Sequence, residues 1–197
     1  YPVLGFLLGT KFPVVAVVSG SMEHKTVHPC SIVHAGTGKC LEFDYNKYVI
    51  CGKQFTSKQN INFDFFWKVC GDWYLKNNIT KQDFSKFPFK NGFNRGDIMF
   101  LIGRDPADID VGDVIVFRSK KPYPIIHRVI KKDNKAMWVF QTKGDNNRVQ
   151  IRDDELDETR VLEKQLLGKA VVRVPWLGYV KILFVDLLRI TGKHYLF

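Results

Sequence analysis

The run Ser19-Gly20-Ser21-Met22-Glu23 closes an apolar, β-branched stretch, and there a serine beside a flexible glycine can aim its hydroxyl and neighbouring backbone N–H groups at one point. Those are the parts of a nucleophile with an oxyanion hole. Ser-Gly-Ser is equally an ordinary strand-ending turn, so a base is needed. Of the 5 histidines, only His127 sits inside a strand-like run, Pro124-Ile125-Ile126-His127-Arg128-Val129-Ile130. Apolar flanks partly desolvate an imidazole and favour the neutral form that accepts a serine proton. The same flanks also suit a core histidine satisfied by a backbone carbonyl. Downstream lie Thr142-Lys143-Gly144-Asp145-Asn146-Asn147 and then Asp153-Asp154. A carboxylate that accepts the far ring N–H of such a base fixes its tautomer and steadies the imidazolium formed during acyl transfer. Asp145 is one candidate, although its tight Gly-Asp-Asn-Asn turn is a setting that such residues also stabilise on their own.

These groups are far apart in the chain, so the elements between them must bring them together. Residues 94–174 offer short β-branched runs, DIMFLI, DVIVFR, IIHRVI, AMWVFQTK and KAVVRV, separated by Gly, Asp and Asn turns. Strands at such intervals predict a mainly β catalytic core, a barrel or sandwich. PVVAVVSGS, which ends at Ser21, reads as a strand buried on both faces. Residues 24–93 differ: they are rich in Phe, Lys, Asn and Cys with little regular periodicity, and FDFFWK and DFSKFPFK are aromatic clusters that a satellite core could use. This stretch reads as an insertion.

The two ends are apolar. Residues 1–23 carry Lys11 and Pro13 near the middle of an otherwise apolar stretch, which argues against a free-standing spanning helix and suggests the exit of a trimmed membrane anchor leading into the nucleophile strand. Residues 175–197 are apolar with isolated Lys181, Asp186 and Arg189, and Trp176, Tyr179 and Tyr195 are of the type enriched at membrane interfaces. This C-terminal segment is expected to be membrane-proximal, or else an amphipathic helix closing the core.

Composition bounds the possibilities. The chain of 197 residues is 45% hydrophobic and 14% aromatic, which excludes a disordered tail or a collagen-like fibre, and its net charge of +10 favours an anionic partner. The 4 cysteines, Cys30, Cys40, Cys51 and Cys70, cluster in the insertion without a CxxC pair or a histidine at metal-finger distance. Two disulfides in an oxidising compartment are therefore expected, with the pairing open, and no metal site. The tripeptide Asn78-Ile79-Thr80 is a glycosylation sequon in the same region.

PVVAVVSGSME, RGDIMFL, VGDVIVFR, PIIHRVI, TKGDNN and GKAVVRVPWLGYVKI stand in the order of the blocks of signal peptidase I of the archaeal and endoplasmic-reticulum type, which this sequence resembles. The resemblance implies Ser21 as nucleophile, Ser19 at the oxyanion hole, His127 as general base and Asp145 as one required aspartate. It also implies a second aspartate from a DD pair. The interval Arg148–Arg152 is longer than the usual pattern, so that role falls on Asp154, with Asp153 as the alternative. The insertion between Glu23 and Asn94, where the family passes almost directly from SGSME to RGD, is expected to form a disulfide-stapled cap beside the active site. The implied activity is a membrane-bound serine endopeptidase. It needs no cofactor, takes signal-peptide-bearing preproteins as substrates, and works on the extracytoplasmic or lumenal side of the bilayer, near the secretion translocon or other peptidase subunits.

Two other readings compete. A basic β-barrel could bind single-stranded nucleic acid, with Phe63, Phe65, Phe66, Trp67, Trp73 and Tyr74 as a stacking platform. Alternatively, the chain could be an inactive structural subunit of a translocation complex.

Overall fold

The computed structural model describes residues 2–33 and 40–176, so the expected membrane-proximal segment beyond Trp176 lies outside the described residues. The protein is mainly β. A short helix α1 (Pro2–Leu7) precedes strand β1 (Val14–Ala16). Two small hairpins follow, β2 (Cys30–Val33) with β3 (Cys40–Phe43) and β4 (Tyr48–Ile50) with β5 (Lys53–Phe55). Helices α2 (Phe63–Leu75) and α3 (Lys81–Lys86) come next. The remaining strands are β6 (Ile98–Ile102), β7 (Val114–Phe117), β8 (Ile125–Asn134), β9 (Trp138–Lys143), β10 (Val161–Leu162) and β11 (Leu166–Val174). These six and β1 form one curled antiparallel sheet in the order β1-β6-β11-β7-β8-β9-β10. Among the described residues no helix is long and apolar enough to cross a membrane.

The sheet has apolar cover on both faces, and β7 shows why. Its residues alternate sides, as strand geometry requires. Val114 and Val116 enter a core with Met22, Met99, Leu101 and Ile126, whereas Ile115 and Phe117 enter a second core with Val129, Phe140, Leu156 and Val161. All four residues of β7 are buried, as a central strand demands.

Strand β1 departs from the expectation of burial on both faces. It lies at the sheet edge and pairs only with β6, Val14 and Val15 are half-buried, Ala16 and Val18 are exposed, and only Pro13 and Val17 in this run are buried. Its β-branched residues suit an edge strand that packs one side on the core.

Residues 24–93 are more regular than their composition suggests. In α2 the side chains of Phe66, Val69, Cys70, Trp73 and Tyr74 recur at helical spacing and line one apolar face. Phe63, Phe65 and Trp67 on the flanks obscure that period in the sequence. Asn62 caps α2 by accepting from the Phe65 N–H, and Thr80 of the sequon caps α3 in a reciprocal capping box with Asp83. A satellite core forms around Phe66, Tyr74, Ile79, Phe84 and Ile50 and takes in Ile130 from β8, so the insertion packs on the sheet. All four cysteines pair: Cys30–Cys40 staples the β2–β3 hairpin, and Cys51–Cys70 ties the β4–β5 turn to α2.

Candidate active site

Ser21 lies in the loop after β1, and His127 lies on β8, where Val114–Phe117 on one side and Trp138–Lys143 on the other hold the strand in register. The fold brings them into contact: His127 Nε2 is 2.8 Å from Ser21 Oγ. Ser19 Oγ stands 3.0 Å from Ser21 Oγ on the same loop. The Asn146 backbone N–H donates to the Ser21 carbonyl at 2.7 Å, so the GDNN turn fixes the Ser21 backbone.

The carboxylate facing His127 is Glu158. Its Oε1 is 2.5 Å from His127 Nδ1, and the side chain is fully buried. Thr142 Oγ1 donates to Oε1 at 3.2 Å and the Ile151 N–H donates to Oε2 at 2.7 Å, so the carboxylate cannot rotate away. The backbone around it is clamped as well. The Glu158 N–H donates to the Ile151 carbonyl, the Thr142 N–H donates to the Glu158 carbonyl, and the Gln150 amide donates to the carbonyls of both Thr142 and Glu158. A carboxylate in this place accepts a hydrogen bond from Nδ1–H, which keeps the proton on that nitrogen and leaves the Nε2 lone pair directed at Ser21 Oγ. Ser21, His127 and Glu158 thus form the line of contacts that acyl-transfer chemistry requires.

The aspartates singled out from the sequence lie elsewhere. Asp145 is fully buried, but both of its oxygens are taken: Arg128 Nε (2.9 Å) and Tyr74 Oη (2.9 Å) reach Oδ1, and Arg128 Nη2 (2.7 Å) and His24 Nε2 (3.0 Å) reach Oδ2. A carboxylate has about four acceptor sites, and these contacts fill them. Neighbours on a strand point to opposite faces, so the residue that engages Asp145 is Arg128 while His127 faces Glu158. Asp153 and Asp154 are exposed; Asp153 Oδ1 accepts from the N–H groups of Glu155 and Leu156 and shapes the turn. Neither touches His127, so the extra residues after GDNN move the acidic partner past the DD pair. Glu158 was hidden among the acids of DDELDE. Leu156 and Glu158 are both buried although the stretch Asp153–Thr159 forms bends and turns rather than a strand, so no strand period in the sequence marked Glu158 out.

Asp145 therefore anchors a buried network. Arg128 is fully buried, donates also to the carbonyls of Pro88, Phe89 and Gly112, and lies over the Phe84 ring at 4.8 Å. Burial opposes ionisation of Asp145, yet the Arg128 charge and its hydrogen bonds outweigh that and hold the carboxyl well below its ordinary range. Tyr74 responds oppositely: burial and the Asp145 charge push its hydroxyl well above its usual value. Lys143, buried above Trp73 and Tyr74, donates to the carbonyls of Gly144 and Asp145; desolvation brings its ammonium down to about 8.

The aromatic platform suggested for nucleic acid is not a surface. Phe66 and Tyr74 are wholly buried, and Phe63, Phe65, Trp67 and Trp73 pack partly buried against the same satellite core. Base stacking needs an exposed ring face. These rings are occupied by one another.

No protein-family profile matches the chain. Similar proteins are the signal peptidase complex catalytic subunit SEC11 of Komagataella phaffii, 39% identical over 103 residues (48% of this chain and 60% of that protein), and of Colletotrichum graminicola, 38% identical over 100 residues (48% and 57%). The catalytic subunit SEC11C of Homo sapiens is 39% identical over 99 residues (48% and 51%). The chain thus spans between half and three fifths of the length of these relatives. Over about half of its length it is similar in sequence to catalytic subunits of the signal peptidase complex.

Proposed function

We propose that this chain carries the catalytic site of a membrane-associated serine endopeptidase that removes N-terminal signal peptides from secretory and membrane preproteins. The observation that supports it most is the Ser21–His127–Glu158 line, with its 2.8 Å and 2.5 Å contacts, in a chain 39% identical over its matched stretch to a signal peptidase catalytic subunit. His127 takes the Ser21 proton, and Ser21 Oγ attacks the carbonyl of the last signal-peptide residue. The Ser21 backbone N–H and the Ser19 hydroxyl meet the oxyanion, the imidazolium protonates the leaving amine, and water then releases the acyl-enzyme. Substrates of this class end in small residues of the A-x-A kind. Placement at an endoplasmic-reticulum membrane, lumenal side, with other peptidase subunits as partners, accords with the two disulfides and with relatives named as subunits of a complex. A shared membrane would concentrate enzyme and substrate together.

Cleavage of a radiolabelled precursor in detergent tests this reading. Ser21→Ala and His127→Ala are each expected to lower kcat by about 10⁴-fold or more. Equal activity in wild type and both variants would sink the peptidase reading and leave that of a structural subunit.

Gly144 provides an independent check on the geometry. A Cβ there would stand 2.9 Å from His127 Nε2, 2.9 Å from Ser21 Cβ and 2.7 Å from Asn147 Nδ2, so something must shift. Gly144→Ala is expected to reduce kcat by about 10²-fold through misplacement of base and nucleophile. Steady-state kinetics beside a thermal melt separates this from unfolding.

A further inference from the structure

Ser21 opens onto a cavity of about 670 Å³, and the insertion builds its far side. The inner wall is Gly20, Ser21, Asn146 and Asn147. Opposite stand Val27, Phe43, Tyr45 and Val49, which come from the segment ahead of β2, from β3 and from the start of the second hairpin. His28 lies between Tyr45 and Tyr48, with ring centroids at 5.0 Å and 4.6 Å, and its Nδ1–H donates to the Lys47 carbonyl, so this wall is braced from behind. The Cys30–Cys40 bridge staples the hairpin that carries Phe43.

The wall is coupled to the nucleophile. The Cys51 N–H at the β4–β5 turn donates to Asn146 Oδ1 at 3.1 Å, and the Asn146 N–H in turn holds the Ser21 carbonyl. Both sides of the cavity are thus fixed relative to the reacting atom.

The charges at its mouth are unequal. Buried Glu23 accepts from Lys25 Nζ at 3.0 Å and from the Arg95 backbone N–H at 2.9 Å, so its negative charge is spent within the wall. The Arg95 side chain is exposed, and no carboxylate among the described residues pairs with it. The cavity therefore combines apolar surface, a serine nucleophile and one cation without a partner. Pockets of this size and make-up take a ligand whose apolar part fills the wall and whose charged part fixes orientation.

We infer that this cleft holds the substrate polypeptide immediately beside the scissile bond and selects an acidic side chain there through Arg95, with Phe43, Val27 and Val49 as the apolar wall. The inference rests on the peptidase reading and adds to it a charge specificity carried by Arg95, with the apolar wall supplied by residues 24–93. An extended chain rises about 3.3 Å per residue, so the responding position lies within a few residues of the cut. The occupant is the substrate, because Ser21 itself lines the same space.

The test uses matched precursor peptides carrying Asp, Asn or Lys at each of the three positions on either side of the cut, with wild-type protein and Arg95→Glu. The readout is the ratio of kcat/KM for the Asp peptide over the Lys peptide, which is insensitive to the fraction of protein that is active. At one position the ratio is expected to be about fivefold in wild type and to invert in Arg95→Glu. Phe43→Ser is expected to raise KM for all peptides at that position while leaving the sign of the charge preference. If wild type cleaves the peptides and the ratio is the same with Arg95 or Glu at position 95, the inference fails and the peptidase reading stands. If wild type cleaves none of them, both fall.

Discussion

Replacing Glu158 with alanine is expected to lower kcat for precursor cleavage by about 10⁴-fold, while Asp153→Ala and Asp154→Ala stay within about twofold of wild type. The first figure follows from what a base loses when the group that holds its tautomer is removed. Glu158 is the carboxylate at His127 Nδ1, and with it gone the ring is free to place its proton on Nε2, facing the serine it should deprotonate. Glu158→Gln keeps the volume but offers an amide in place of a charge, so it should be nearly as slow. Glu158→Asp, shorter by one methylene, should recover part of the rate, which a merely structural role would not require. Single-turnover kinetics of wild type and the five variants on one precursor is the measurement. Full activity in Glu158→Ala, or a collapse in Asp154→Ala, would return the orienting role to the DD pair.

The second large effect is on stability. Asp145→Ala is expected to destabilise the fold by about 3–5 kcal/mol, because it leaves the Arg128 guanidinium buried and uncompensated. For a chain of this size that corresponds to a fall in Tm of roughly 6–20 °C. Loss of activity in this variant should follow loss of folded protein. Asp145 also predicts a pH dependence with a definite sign. Its folded pKa is depressed, so its stabilising contribution is present above the unfolded value of about 4 and is lost as pH falls towards the folded one. Urea midpoints of wild type should therefore drop between pH 7 and pH 3 by more than those of Asp145→Asn. A parallel acid limb in the two proteins would show that the carboxylate is not ionised within this network.

The position of Asp145 explains how residues 24–93 can sit on this sheet without loosening it. Tyr74 and His24 come from that segment, Arg128 comes from the strand that carries His127, and one carboxylate binds all three. Arg128 adds hydrogen bonds to Pro88 and Phe89 at the insertion's far end. Buried hydrogen-bonded charge of this kind sets geometry more than it adds stability. Here it places the satellite core against the strand next to His127.

Much was legible from local chemistry. The runs DIMFLI, DVIVFR, IIHRVI and AMWVFQTK became β6, β7, β8 and β9 because β-branched and aromatic alternation is a property of the strand itself. Ser21 and His127 were candidates from their own segments, each with an ordinary structural alternative, and it was the order of the surrounding blocks, through the resemblance, that singled them out. The clustered cysteines pointed to disulfides without it. What lay beyond the sequence were choices among equals. β1 was an edge strand because of its neighbours in the sheet, and no property of PVVAVV distinguishes an edge from a centre. α2 hid its period among extra aromatics, and only packing showed which of them face inward. The acidic partner was the sharpest case. Five carboxylates follow GDNN in the stretch Asp153–Glu158, identical in charge and nearly so in length. Only the return of that stretch alongside Thr142 buried one of them against the imidazole. Side-chain type sets what a residue can do, but which copy does it depends on distances between segments far apart in the chain, and those exist only once the sheet has closed around them.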